Sequence, residues 1–354
     1  MAAAPLDERR AVTAFAGLER ISGPRASHEA PLLRVALMPG DEPLVAPGDR
    51  VSPGTPLLRR PRHPQVAEQP LHGRAAPGPG TRVTDGAPLA GAGRRALRFD
   101  GAGEVLYVTP GGRVRAVVSR HHALVASPAS GIVEALDACA IVLRSEGPAL
   151  SASLAVGEPS HGPLVVAVDG PEAELHANRI DVRHSGAILV AGSRVDVEGL
   201  TRARAMGVRG VIVGGVIGGD VLALRASIER QDASIQPGPS FALVVLDGYG
   251  KRPIPRSAWE ALVASGGQEV GLSITPPLVL FGPGAGLPPV GPDRVRVTAG
   301  PLLGRNGRFV RLVGSRRRPG GVFQECARVA LDPVALPGSE ELVDVPIADL
   351  ERDG

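Results

Sequence analysis

Gly48-Asp-Arg-Val-Ser-Pro-Gly-Thr-Pro-Leu57 returns in this chain as Gly80-Thr-Arg-Val-Thr-Asp-Gly-Ala-Pro-Leu89. Both copies follow one frame, G-x-R-V-[ST]-x-G-x-P-L. A glycine turn leads into a short β-favouring step, a second glycine turn and an apolar exit. Glycine reaches backbone angles closed to other residues, so paired glycines at this spacing mark a chain that folds back on itself. The frame predicts a small, tightly turned β domain. It specifies an architecture and no reaction.

The wider composition agrees. The chain has 354 residues, enough for two or three domains, and 43% of them are hydrophobic. Only 3% are aromatic, so the cores are aliphatic. Forty-seven glycines and 35 prolines imply many turns and short strands and argue against a helical bundle. Of 39 Lys and Arg residues, all but Lys251 are arginine, which fits a GC-rich, bacterial coding sequence. Almost no lysine is left for a Schiff base or a phosphate loop. Cys139 and Cys326 stand far apart without ligand-spaced partners, so no metal or iron–sulfur site is expected, and two free thiols suit a reducing cytoplasm. No apolar run is long enough for a membrane span. The most apolar stretch, Val208 to Leu224, is interrupted by glycines, Arg209 and Asp220. No signal-peptide pattern appears at the N-terminus.

Periodicity divides the chain into five pieces. Residues 1–32 read as a tail with one short helix around Arg9 to Arg20. Residues 33–148 alternate short apolar runs with glycine and proline turns, and Pro61 to Pro79 reads as a loop between the two copies. Residues 149–275 begin β-rich and then alternate strand and helix. Strands are expected at 187–191, 210–216, 241–246 and 269–274, and helices at 195–206, 219–230 and 257–265. That order predicts a small, mostly parallel sheet. Ser193 or Asp196 is expected to cap the first of these helices and Ser257 the last. Residues 276–292 read as a linker and 293–354 as a final β domain.

Two resemblances attach to these pieces. Pro47-Gly-Asp-Arg-Val-Ser-Pro-Gly-Thr-Pro-Leu57, with Ala126-Ser-Pro-Ala-Ser-Gly-Ile-Val-Glu134, resembles the barrel-sandwich hybrid of lipoyl and biotinyl carriers and of RnfC-type electron-transport subunits. Carriers of that kind hold their cofactor on a lysine, and no lysine precedes Lys251. RnfC-type electron transfer needs clustered cysteines, and there are none. The resemblance therefore implies the scaffold without its prosthetic group, and no cofactor is expected. At the other end, the segment from Arg294 to Leu312, with its Gly300-Pro301 turn, Gly304 and Gly307, resembles a KOW motif in an SH3-like barrel. That family implies contact with RNA, RNA polymerase or the ribosome. Arg294, Arg296, Arg305, Arg308, Arg311, Arg316, Arg317 and Arg318 are the candidate phosphate-neutralising residues. The competing reading is a solvated arginine surface on a barrel that packs against the other domains.

The middle piece offers a second candidate. Open α/β sheets bind ligands at the carboxyl ends of their strands. Those ends carry Gly214, Gly215, Gly218, Gly219 and Asp220 after one strand, and Asp247, Tyr249, Lys251 and Arg252 after another. The glycines would cradle an anion with backbone N–H groups, although neither a Walker A nor a dinucleotide fingerprint is present. The segment also resembles protease-associated or swivelling β/β/α domains, which are interaction modules. His121, His122, His161, His176 and His184 lack ligand spacing, and Ser127, Ser130 and Ser185 lack a nucleophile setting.

The sequence therefore predicts a multi-domain β plus α/β protein. It joins a barrel-sandwich-like module, a small central α/β domain and an SH3-like barrel. Its expected role is a cytoplasmic, non-enzymatic binding or scaffold protein with a protein partner, contacting RNA or the transcription/translation machinery through the C-terminal barrel. Two alternatives stand beside it: a small-ligand or enzymatic site at Gly214–Asp220 and Asp247–Arg252, and an accessory subunit of a membrane complex of the RnfC type without redox centres.

Overall fold

The computed structural model describes residues 24, 26–27, 30–71, 75–91, 93, 96–232, 240–285, 294–332 and 341–352. The expected helix around Arg9 to Arg20 lies outside them, as does the second half of the expected 276–292 linker. The described chain forms a multi-domain, β-rich fold of several sheets.

The sequence repeat is also a repeat of hydrogen bonds. One four-stranded antiparallel sheet runs Leu32–Ala36, Ala140–Ser145, Gly131–Leu136, Arg50–Val51. A second has the same order: Gln65–Pro70, Arg113–Ser119, Ala102–Val108, Arg82–Val83. Val51 faces Gly131 in the first sheet, and Val83 faces Gly103 in the second. Gly48 N–H donates to the Val133 carbonyl at 2.7 Å, and Gly80 N–H to that of Val105 at 2.9 Å. Thr55 N–H closes on the Ser52 carbonyl and Ala87 N–H on that of Thr84, each at 3.0 Å. Even the register shift recurs, between Val133 and Ala135 and between Val105 and Tyr107. The turn glycines Gly48, Gly54, Gly80 and Gly86 all have positive φ (95°, 84°, 81° and 63°), which explains the fixed glycines of the frame.

The two copies are nested. Strands Pro56–Arg62 and His121–Ala126 leave the first copy, pair with each other antiparallel, and carry the whole second copy between them. In the second copy the matching position is a tight return, with Leu89 N–H on the Leu97 carbonyl and Leu97 N–H on the Ala90 carbonyl, both 2.8 Å. Each copy has its own core. One gathers Leu33, Val35, Val51, Leu57, Val133 and Leu143. The other gathers Val83, Leu97, Phe99, Val105, Val114 and Ala116. The expected loop over Pro61 to Pro79 is corrected here, because it contains the Gln65–Pro70 strand. That strand lies at a sheet edge, is largely solvent-facing and ends on a proline, so it lacks the apolar alternation that marks a strand.

The central sheet has nine strands, in the order Ala26–Ser27, Ala149–Ser151, Leu278–Phe281, Glu269–Ser273, Ser160–Val166, Ile188–Val190, Gly210–Val213, Ala242–Val245, Leu154–Gly157. The contiguous strands from Ser160–Val166 to Ala242–Val245 pair in parallel, and the others are antiparallel. The expectation of a small, mostly parallel sheet is thus too narrow. Leu278–Phe281 was expected to be linker, because Pro276-Pro277 and Gly282-Pro283-Gly284 bracket it. It is instead a fully buried strand.

The parallel strands are nearly all apolar because both their faces are covered. Val211, Val213, Leu243 and Val245 face one core with Leu200, Ala203, Val221 and Leu224, from helices Val197–Ala205 and Gly218–Asp232. Ile212, Ala242 and Val244 face the other, with Ala258, Ala261 and Leu262 from helix Arg256–Ala264. Asp196 caps the first helix, accepting from Gly199 N–H at 2.8 Å. The expected cap at Ser257 is not made. Pro255 occupies the N-cap position without a side-chain bond, and the Ser257 hydroxyl is buried without a partner.

The C-terminal sheet is five-stranded and antiparallel, ordered Glu341–Pro346, Phe323–Leu331, Asn306–Arg317, Arg294–Val297, Leu350–Arg352. Its core is Phe309 with Val295, Val297, Val329, Leu331, Val345 and Leu350. Gly307 lies so close to the neighbouring strand that a Cβ would meet the Ala330 carbonyl at 2.5 Å. No helix of the described residues is long and apolar enough to cross a membrane.

Candidate functional site

The two glycine-bearing strand ends of the central sheet meet. Val216 and Tyr249 form a parallel bridge, with Val216 N–H on the Gly248 carbonyl at 3.1 Å and Gly250 N–H on the Val216 carbonyl at 2.9 Å. A Cβ on Gly214 would run into the Arg252 carbonyl, and one on Gly215 into the Gly250 carbonyl. These glycines therefore permit two backbones to touch. Their own N–H groups donate to the Gly192 carbonyl at 2.8 Å and the Ser193 carbonyl at 3.3 Å. That leaves neither amide directed at an anion. Gly218 and Gly219 open the Gly218–Asp232 helix. Asp220 follows in its first turn and lies 3.5 Å from Arg194.

The packed loops hold Asp247 at the end of the Ala242–Val245 strand, with its N–H on the Gly214 carbonyl at 2.8 Å. Its side chain is 1% exposed. Oδ2 accepts a long 3.4 Å bond from Arg252 Nη1, and Oδ1 has no hydrogen-bond partner. Burial pushes the Asp247 carboxyl above its ordinary range, against the opposing pull of Arg252 and Arg296. Lys251 lies beside Glu174, Nζ to Oε1 2.7 Å, and that contact holds the Glu174 carboxyl below the usual range. Tyr249 is exposed.

The C-terminal sheet supplies the other wall. Asp247, Tyr249, Lys251 and Arg252 share a cleft of about 620 Å³ with Arg296, Thr298, Leu303 and Glu351. Glu351 is buried and accepts from Arg252 Nη1 on Oε1 and from Arg296 Nη2 on Oε2, the latter at 3.2 Å. Residues expected to serve two separate purposes, Arg296 for nucleic acid and Asp247–Arg252 for a ligand, thus line one cleft. Sequence reasoning missed Glu351. Its only local signal is an acid following the buried Leu350, and the partner that covers it, Arg252, is 99 residues away in the chain.

The other candidate arginines of the C-terminal sheet differ in their partners. Arg294 is paired with Asp332 (2.5 Å), Arg305 with Glu341 (3.7 Å) and Arg316 with Asp344 (3.8 Å). Arg311, Arg317 and Arg318 make no ion pair with a described residue. Arg308 is exposed, on the strand facing Arg294. Strands Asn306–Arg317 and Phe323–Leu331 run on beyond the sheet. Ser315↔Glu325, Arg316↔Gln324 and Arg317↔Phe323 pair only with each other, because the neighbouring strand joins at Cys326. This ribbon is exposed on nearly every residue and carries Arg316, Arg317, Val322 and Phe323 near its tip, with Arg318 half-buried. Compared with known proteins, the chain matches no protein-family model and no curated protein.

Proposed function

We propose that this protein is a non-enzymatic binding protein that contacts RNA through its C-terminal sheet, with the 315–325 ribbon as the contact element. The observation that carries this is the ribbon itself. A two-stranded hairpin with no third strand or packed face is marginal in water. This one presents three successive arginines beside exposed Phe323 and Val322. Arginine meets phosphate with a planar fork of donors, and an exposed aromatic ring offers a base a stacking surface. The resemblance of the 294–312 sequence to a KOW motif supports the same reading. So does the resemblance of the 47–57 and 126–134 sequences to barrel-sandwich hybrids, which would leave that half as a scaffold.

The test is fluorescence anisotropy of a labelled single-stranded RNA of mixed sequence across a salt series. Each phosphate contact contributes a slope of roughly 0.7 in log K against log salt for a single strand. Arg316 is already partnered by Asp344, so changing Arg316, Arg317 and Arg318 together to Ala is expected to flatten the slope by about 1.4 to 2. Absence of binding at about 50 mM salt, or an unchanged slope in the triple variant, would sink the reading.

A further inference from the structure

The cleft between the 247–253 loop and the C-terminal sheet has an unmet demand that the protein does not answer. Asp247 is almost wholly buried, lines the cleft, and keeps Oδ1 without a donor. Buried polar atoms of that kind are rare in folded proteins and call for an explanation. Lys251, Arg252 and Arg296 line the cleft with Asp247 and Glu351, and Glu174 lies 2.7 Å from Lys251 Nζ. Glu351 is saturated by its two arginines, whereas Asp247 has a single long contact. The cleft opens beyond the carboxyl end of a parallel strand, where α/β sheets take their ligands. Its volume lies within the usual range for small-molecule sites.

We propose that this cleft binds a small organic anion carrying hydroxyl groups, of the sugar-phosphate or nucleotide class. A hydroxyl both donates and accepts, so it meets Asp247 Oδ1 whether or not the carboxyl holds a proton. An ammonium group in the same place would lie against Arg252 and Arg296. The anionic end of the ligand takes the rim, where Lys251, 58% exposed, keeps ammonium donors beyond its contact with Glu174, and Arg252 is 39% exposed. Oδ1 is shielded from solvent, so the hydroxyl reaches it with a side-chain shift at the cleft wall. Arg252 keeps Nη1 on Glu351 and offers its Nη2 donors to the phosphate. This site is separate from the ribbon and stands whether or not the ribbon binds RNA.

Isothermal titration of the full chain with ribose 5-phosphate, AMP, ribose and inorganic phosphate tests it. Ribose 5-phosphate or AMP is expected to bind at least about tenfold tighter than ribose or phosphate alone, because each fragment meets only half the site. Lys251→Ala is expected to weaken the phosphorylated ligands roughly tenfold and leave ribose unchanged. Asp247→Asn is expected to weaken ribose as well. Thermal melts of both variants check folding, and the exposed Lys251 keeps the test valid if Asp247→Asn is unstable. Failure of both phosphorylated ligands to bind at about 10 mM, affinity no better than inorganic phosphate, or wild-type affinity in Lys251→Ala would each overturn the proposal.

Discussion

Replacing Glu351 with Ala removes the acid shared by Arg252 of the central domain and Arg296 of the C-terminal sheet. Glu351 is 6% exposed, while the two arginine side chains are 39% and 27% exposed. Removing one partner from a fully buried ion pair costs about 3–5 kcal/mol, because a charge is left dry and unpaired. Here water can reach both arginines, which reduces the expected loss to about 2 kcal/mol. Glu351→Gln keeps the shape and one acceptor, and its loss should be about 1 kcal/mol. Native-state hydrogen exchange at Val295, Val297 and Leu350 reads the C-terminal sheet apart from the rest of the chain. Protection there is expected to fall by these amounts, while that of Val211 and Leu243 in the central sheet changes less. A loss below about 0.5 kcal/mol for Glu351→Ala would place the network among ordinary surface pairs. The argument from the burial of Glu351 would then fail.

Two further outcomes follow from the same geometry. Gly103 and Gly131 occupy matching positions, and a Cβ on either would strike a neighbouring carbonyl, that of Val117 or Arg144. Each Gly→Ala change should therefore destabilise its own sheet by about 1–3 kcal/mol, whereas Gly78→Ala, with open space around it, should stay within about 0.5 kcal/mol in urea unfolding. Unequal behaviour of the pair would break the equivalence of the two copies. The Asp247 carboxyl is raised by burial in the folded state, against about 3.9 unfolded. Its stabilising contribution is thus full below the unfolded value and lost as pH rises through the folded one. Asp344 runs the opposite way. Hydrogen bonds from Arg328 hold it low, so its contribution is present above the unfolded value and lost as pH falls through the folded one. The melting temperature of wild type relative to Asp247→Asn should rise as pH is lowered from about 7 toward about 4, and a flat difference would contradict the burial argument.

The helices of the middle piece were legible because their signals are local. Asp196 before the run at 197–205 is a capping pattern, and Gly207, with φ 78°, stops the helix where the sequence reading stops it. The buried parallel strands at 210–213 and 242–245 were legible for the same reason, since a strand covered on both faces is apolar throughout. The Gln65–Pro70 and Leu278–Phe281 strands were not. The first is polar because one edge and much of its surface meet water, and the second is four residues between proline and glycine punctuation. In both cases the neighbouring strand, remote in sequence, supplies the evidence that the segment is a strand.

The candidate site divides in the same manner. Asp247, Tyr249, Lys251 and Arg252 were visible as a dense run of functional groups at a strand end. The glycines at 214 and 215 were visible too, yet the sequence could not say that they admit the Arg252 and Gly250 carbonyls. By itself the sequence determined the doubled glycine frame, because positive φ is a demand on single residues, and it determined the strand and helix alternation between residues 187 and 274, because capping and periodicity act within a few residues. Only the tertiary structure decided that the second copy grows from inside the first, and that Glu351 and Arg296 complete the wall opposite Asp247. Burial and charge pairing are properties of side chains brought together from distant parts of the chain, and no local pattern encodes which distant residue will arrive.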